Sequence, residues 1–222
     1  SISSNSIDGV SSRDHILDIL YSCSSIMINL SRISEELIIW NSEEFDFVNI
    51  PDEFTTGSSI MPQKRNPDYL ELIRGKTGHS LGQLVNLATS LKGLTFTYNR
   101  DLQEDRKGAM DSIEIVTQSL EVIKNLFSKI SFNEEKMIDS ANKSNILATD
   151  FADYLANKKI PYREAYKIIK DISLNLKGKY IHELSLDELR QFSKLFEKDA
   201  LDISLRNSIE NRNSTGGTST NS

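Results

Sequence analysis

Apolar residues recur at helical spacing along most of this chain. In residues 12–40 they fall three or four positions apart with no glycine or proline between them, which predicts one long amphipathic helix. Residues 67–91 and 101–130 predict two more. The first of these helices would span about 40 Å. Helices of this length need partners because a small monomeric core cannot cover their apolar faces, so the pattern predicts a bundle or an oligomer.

Glycines mark the second long segment. Gly75, Gly78 and Gly82 are expected to allow close contact with another helix, and Gly93 is expected to end the helix. Residues 41–66, which precede it, contain most of the turn-forming residues of the first half and predict a long connection. Long connections inside compact proteins are usually either functional or disordered.

The predicted elements become shorter in the second half. Helices are predicted at 134–141, 149–157 and 161–176. Pro161 is expected at a first helical position, and Ser185 and Glu188 have the spacing of a capping box. The tail after Asn211 has no periodicity and is expected to be mobile. Ambiguous strand signals occur at 45–50 and 94–98.

These elements predict an all-α fold in two domains. The first, residues 1–140, is expected to be part of a central bundle of long helices and to carry a loop at 55–67. The second, residues 141–222, is expected to be a small helical C-terminal domain with a mobile tail. The chain begins without Met and enters the first long segment directly, which we interpret as the start of a fragment.

Composition narrows the range of partners. The 26 basic and 32 acidic residues give a net charge of −6 that is spread along the chain, which argues against nucleic acid or an acidic membrane surface. Cys23 is the only cysteine, so no internal disulfide can form and a reducing compartment is favoured. No run of eighteen apolar residues and no signal-peptide pattern occur. We therefore predict a soluble, cytoplasmic protein.

The segment from Thr56 to Pro67 carries the most chemical information. It reads Thr-Gly-Ser-Ser-Ile-Met-Pro-Gln-Lys-Arg-Asn-Pro. A Gly-Ser pair is common in ordinary flexible loops, and a lysine beside an arginine is usually solvated, so composition alone does not establish a functional loop. The order of the residues closely resembles the signature Gly-Ser-Ser-x-Met-Pro-x-Lys-x-Asn-Pro of the fumarase/aspartase superfamily. Its Gln-Lys-Arg-Asn form resembles the argininosuccinate lyase and delta-crystallin branch.

Other segments extend the resemblance along nearly the whole chain: 5–8, 30–37, 71–76, 98–105, 148–155 and 216–218. By this resemblance the chain is identified as the C-terminal half of an argininosuccinate lyase subunit. The family subunit is about twice this length, and its N-terminal domain has no counterpart here.

The resemblance implies cleavage of argininosuccinate to arginine and fumarate by β-elimination, without cofactor or metal. Proton removal beside a carboxylate creates a dianionic enediolate before the C–N bond breaks, so the site must stabilise negative charge. Ser58 is then the catalytic serine, either the base or, in an older assignment, the acid opposite a histidine that this chain lacks. Lys64 is expected to activate Ser58 and to stabilise the enediolate.

Further roles follow from the resemblance alone. Asn66 is expected to donate to a substrate carboxylate. Tyr98, Gln103 and Arg106 occupy substrate-contact positions, although a helix-entry cap or a surface contact is the alternative for Tyr98 and Gln103. The family commonly has lysine where this chain has Arg106, so the charge is kept while the geometry of donation changes.

Supporting roles are implied for four residues: Gly57, Ser59, Met61 and Glu71. The glycine would give the loop freedom to close over substrate and exclude water. The glutamate matches a family residue that orients the missing histidine across a subunit boundary.

Two sets of charged residues have no implied role. Arg13 and Asp14 match a family Arg-Asp pair, for which an ion pair at the helix start is the simplest interpretation. The histidines, His15, His79 and His182, form no metal or triad pattern.

The superfamily is homotetrameric, and the resemblance implies active sites built from three subunits around a twenty-helix bundle. The implied role is in arginine biosynthesis or the urea cycle, while residues 1–222 are expected to be inactive alone. A delta-crystallin-like structural protein and a non-catalytic oligomerisation fragment are the alternatives.

Overall fold

A computed structural model describes residues 4–57, 59–61 and 64–220 of the chain. It separates into two compact units, one extending to Asn133 and the other beginning at Glu134. Helices dominate both units, which confirms the predicted all-α class. The domain limits predicted from the sequence, 1–140 and 141–222, remain a prediction.

The first unit is built on long helices: α1 Ser6–Ser11, α2 Asp14–Trp40, α3 Asp68–Leu91 and α4 Asp105–Phe127. Helices α2, α3 and α4 pack against one another. The first two long helices begin within two residues of their predicted starts. The third differs, because a 3₁₀ turn, Arg100–Glu104, comes before it and regular α-helix begins only at Asp105.

The apolar positions of these helices form one core. Its buried members are Cys23, Met27, Leu30, Leu37, Val48, Ile50, Leu70, Ile73, Val116, Ile123 and Leu126. Helix α2 is also long and apolar enough to cross a membrane, judged by length and composition alone. Its buried residues point to α3 and α4, which is the packing expected of the central helix of a bundle.

The glycines of α3 make no close helix contact within the described chain. A Cβ placed on Gly75, Gly78 or Gly82 would meet nothing within 4 Å, so the expected close contacts at these glycines are absent from the described chain. The close approach lies instead at Gly108, where a Cβ would come within 2.7 Å of the Gln83 side chain. Gly93 follows the end of α3 with φ of 81°, a left-handed conformation that favours glycine.

Two short antiparallel pairs organise the connection between α2 and α3. β1 Val48–Asn49 pairs with β4 Ser131–Phe132, and β2 Thr56–Gly57 pairs with β3 Arg65–Asn66. Because β4 follows α4, the first pair brings the end of α4 beside the connection. The ambiguous segment 45–50 thus contains a strand, whereas 94–98 contains none.

The second unit consists of shorter helices: α5 Glu134–Asn142, α6 Ala148–Asn157, α7 Tyr162–Leu174, α8 Leu186–Arg190 and α9 Leu205–Glu210. Pro161 is the cap residue before α7 rather than its first helical residue, since its ψ of 136° is extended. The capping box of Ser185 and Glu188 is confirmed. Phe151, Leu155 and Phe196 lie at the centre of a separate apolar core.

Polar contacts join α6 to residues 197–199. The Tyr154 hydroxyl donates to Asp199 Oδ1 at 2.5 Å, and Lys158 Nζ lies 2.7 Å from Glu197 Oε2. Burial and the bond to Asp199 raise the pKa of Tyr154. In the tail, Arg212 pairs with Asp150 at 3.4 Å. The predicted mobility of the tail remains a prediction.

Candidate active site

The predicted catalytic loop leaves and rejoins the fold through a short hairpin. Strands β2 and β3 pair so that Thr56 faces Asn66 and Gly57 faces Arg65. Ser58, the predicted catalytic serine, lies outside the described residues, as do Pro62 and Gln63. Gly57 does not adopt positive φ, and a Cβ there would meet Arg65 Nη1 at an ordinary 3.6 Å. This conformation therefore does not itself require glycine at position 57.

Two carboxylates anchor the base of the hairpin. The Thr56 hydroxyl donates to Asp68, the first residue of α3, and Arg65 Nη2 lies 3.2 Å from Asp52 Oδ2. Just before β3, the Lys64 backbone N–H donates to the Met61 carbonyl at 3.0 Å. The loop is therefore fixed at both of its ends by contacts to its flanking segments.

An open cavity of about 580 Å³ lies beside this hairpin. Four predicted site residues line it: Met61, Lys64, Asn66 and Glu71. Ser59, the remaining supporting residue, is exposed in the short segment 59–61. The fold thus brings Met61 and the second side of the signature loop to the same concave surface as the first turn of α3.

The cavity carries both signs of charge, from the basic residues Lys64 and Arg65 and the acidic residues Glu43, Asp52 and Glu71. No acidic side chain of the described chain forms an ion pair with Lys64, whereas the neighbouring Arg65 is paired with Asp52. Glu71 lies near the N-terminus of α3, where the helix dipole favours a carboxylate. An unpaired ammonium in a concave surface can bind an anion or stabilise a developing negative charge.

The other predicted substrate contacts lie elsewhere. Tyr98 precedes the 3₁₀ turn, Gln103 is within it, and Arg106 is in the first turn of α4; all three are exposed. Helix α3 has 24 residues and separates the two groups, which at a rise of about 1.5 Å per residue corresponds to about 36 Å. Within one chain, therefore, Lys64 and Arg106 lie at opposite ends of the bundle.

The expected ion pair of Arg13 with Asp14 is wrong. Arg13 Nε donates instead to Asp105 Oδ2 at 2.5 Å, across the bundle. This contact also bears on Arg106, for which a surface ion pair with Glu104 or Asp105 is the alternative to substrate binding, because Asp105 is already paired with Arg13. Neither Asp105 nor Glu104 pairs with Arg106, so its guanidinium is exposed without an acidic partner in the part of the chain that the structure describes.

Sequence reasoning missed the anchoring residues Asp52, Asp68 and Asp105. No local pattern identifies them, because each contact joins distant parts of the chain or two loop segments. Over the described ranges, no group of three or more histidine, cysteine, aspartate or glutamate side chains could hold a metal ion.

Comparison with known proteins shows what kind of protein has this fold and site. Residues 1–82 match a family model described as lyase, and residues 145–210 match one described as argininosuccinate lyase C-terminal. Among solved structures, an EDDS lyase variant with bound fumarate superposes with a TM-score of 0.82 at 25% identity, covering 98% of this chain and 46% of that chain. A class II fumarase from Schistosoma mansoni gives 0.74 at 19% identity, covering 91% and 41%, and shows the fold alone.

The family-model match and the fold place the chain among the proteins of the fumarase/aspartase superfamily. Curated relatives narrow the assignment further. Argininosuccinate lyase of Clostridium kluyveri is 48% identical over 90% of this chain and 46% of its own length. That of Desulfatibacillum aliphaticivorans is 44% identical over 98% and 47%. The chain belongs to the argininosuccinate lyase family, and it spans about half the length of these relatives.

Proposed function

We propose that this chain contributes to an argininosuccinate lyase, which cleaves argininosuccinate to arginine and fumarate. Two features support the proposal: the identity of 44–48% to curated argininosuccinate lyases, and a cavity that presents Lys64, Asn66 and Glu71 beside the signature loop. Arginine biosynthesis in the cytoplasm is the proposed setting, and no cofactor is invoked.

The chemistry assigned to the loop rests on charge. Abstraction of the proton beside a carboxylate gives a dianionic enediolate, and the ammonium of Lys64, which has no ion-pair partner among the described residues, would stabilise it. Asn66 has its backbone held in β3, so its side-chain amide can donate to a substrate carboxylate from a fixed position. Ser58 would move the proton, activated by Lys64 and the loop amides. Collapse of the enediolate then breaks the C–N bond and releases arginine.

A further observation concerns Lys64 and Arg106, which lie near opposite ends of α3 and are therefore separated by about 36 Å. No single molecule of argininosuccinate reaches both residues in one chain. If both contact substrate, each site must combine the hairpin end of one copy with the Arg106 end of another. A homotetramer with shared sites is therefore part of the proposed function.

The surface of the bundle fits such an assembly. Many large apolar side chains on the long helices are exposed: Ile19, Tyr21, Ile26, Ile28, Ile33, Ile39, Leu72, Leu81, Val85, Met110, Ile113, Leu120 and Phe127. Exposed glycines inside α3 weaken that helix by about 1 kcal/mol each without a compensating contact in this chain. Both features suit helices that pack against other copies.

We also propose that residues 1–222 do not turn over argininosuccinate alone. The chain matches about half of its relatives' length, and no histidine of the described residues lines the cavity. The alternatives differ in the activity expected when the remaining part of the subunit is supplied. A delta-crystallin-like structural protein would stay inactive in any context, whereas a loop-donating fragment would gain activity when the remaining part is supplied.

Fumarate release, followed by ultraviolet absorbance after addition of argininosuccinate, tests the proposal. The chain alone is compared with a chimera in which the N-terminal portion of the Clostridium kluyveri enzyme is joined to residues 1–222. We expect activity in the chimera and none in the chain alone. An assembled but inactive chimera would contradict the proposed lyase function. Turnover by the chain alone would contradict the proposal that residues 1–222 do not contain a complete active site.

A further inference from the structure

Arg13 and Asp105 form an unusually buried ion pair. Among the ion pairs between described residues, it is the only one in which both side chains are no more than 20% exposed, with values of 20% and 11%. Arg13 Nη1 also donates to the Val10 carbonyl at 3.2 Å and to the Ser12 carbonyl at 2.8 Å. One guanidinium thus connects the turn between α1 and α2 to the first residue of α4.

The residues around Asp105 are those expected to contact substrate. Gln103 lies two positions before it in the 3₁₀ turn, and Arg106 follows it directly in α4. Leu102, only 4% exposed, fixes the inner side of the turn. The side chains of Gln103 and Arg106 therefore flank an anchored carboxylate while they remain exposed themselves.

The junction between a 3₁₀ turn and an α-helix depends on such an anchor. The 3₁₀ hydrogen-bond geometry is poorer than that of the α-helix, so main-chain bonds alone fix the turn weakly. A buried carboxylate without its cation is strongly unfavourable, so loss of Arg13 would drive Asp105 towards solvent. Any such movement changes the positions of Gln103 and Arg106.

We propose that Arg13 is a positioning residue for substrate binding: through Asp105 it fixes the 3₁₀ turn and the start of α4, so that Gln103 and Arg106 present their donors to the substrate. Arg13 acts through Asp105 rather than on the reacting atoms. This inference rests on the proposed lyase function and explains the pairing of an arginine whose role the sequence leaves open.

Hydrogen exchange on the 222-residue chain tests the structural step without any activity. We expect Arg13→Met and Asp105→Asn each to accelerate exchange in residues 100–109 and to leave residues 134–220 unchanged. Lys143→Met, which removes an exposed ion pair with Asp139, is the matched control and should change neither region. Unchanged exchange in 100–109 in both pair variants would overturn the positioning role, whatever the activity of the protein.

Steady-state kinetics of the chimera test the consequence for substrate. We expect Arg13→Met and Asp105→Asn each to raise KM for argininosuccinate about tenfold with kcat within about twofold of the parent. The double variant should be no worse than the worse single variant, because both remove the same contact. Arg13→Lys keeps the charge and should hold KM within about threefold.

The two experiments distinguish failure of the proposed lyase function from failure of the positioning role of Arg13. A parent chimera without activity refutes the proposed function, and the exchange experiment still decides whether Arg13 fixes the turn. An active parent whose two folded pair variants keep the parental KM refutes this inference alone. A fall confined to kcat also refutes it, because it would place Arg13 in the chemical step.

Discussion

Replacing Lys64 with methionine removes an ammonium that has no ion-pair partner among the described residues, while it keeps most of the side-chain volume. An ammonium about 4 Å from one charge of the enediolate, at the effective dielectric constant of about 20 found near protein surfaces, contributes about 4 kcal/mol. Since each 1.36 kcal/mol or so is a tenfold change in rate, this is about a thousandfold. Solvent in the open cavity reduces the effect, so we expect kcat of the chimera to fall about a hundredfold to a thousandfold.

Arg65 provides the matched control for this change. It is the next residue, carries the same charge and lines the same cavity, but it is already paired with Asp52 in an exposed contact of 3.2 Å. Such a pair contributes at most about 1 kcal/mol, so Arg65→Met should lower kcat by no more than about fivefold. Equal losses in the two variants, or a Lys64 effect confined to KM, would refute the role assigned to Lys64.

Three further predictions concern separate parts of the chain. In the chimera, Arg106→Lys should be tolerated while Arg106→Ala raises KM; an alanine variant with the parental KM would remove Arg106 from the site. Ser58→Ala should lower kcat at least about a hundredfold, as expected for a group that transfers a proton, and a change in KM alone would assign it to binding. In the second unit, bonds from Lys179 and Ser185 lower the pKa of Glu188 from its ordinary 4.5 to about 2. Because its pKa is lowered in the folded state, ionised Glu188 stabilises the fold above pH 4.5, and this stabilisation is lost as the pH falls towards 2. Glu188→Gln should therefore flatten this part of the acid-unfolding curve measured by circular dichroism, whereas the neighbouring Asp187→Asn should not.

The long helices could be predicted from the sequence because their signal is local. Apolar residues three or four positions apart define α2 and α3 almost to the residue, and Gly93 marks a chain reversal that needs positive φ. Of the two-residue strands, only β1 lies in a segment with an ambiguous strand signal, and none of the pairings could be predicted in this way. Their pairing depends on where the end of α4 and the two sides of the hairpin lie in the folded unit.

The candidate site likewise combines residues that could be predicted from the sequence with contacts that could not. Resemblance to a family indicates Lys64 and Asn66 in the signature loop and Glu71 in α3, and the fold places all three at one cavity. The pairing of Arg13 with Asp105 spans 92 positions and has no local signal. The nearer residue, Asp14, was the expected partner because sequence proximity is the only guide before the helices are packed.

The central claim is that Lys64 and Arg106 act in the same site but come from different copies of the chain. It is tested most directly by complementation between two chimera variants, Lys64→Met and Arg106→Ala, each measured alone and after mixed reassembly, at argininosuccinate concentrations well below the KM of the Arg106→Ala variant so that its raised KM lowers the measured rate. If a site draws these residues from two copies, random mixing in equal amounts leaves about a quarter of the sites with both residues intact. The account predicts that the mixture recovers about that fraction of the parental lyase activity. A mixture no more active than the mean of the two variants would contradict it, and would place both residues of each site in one chain.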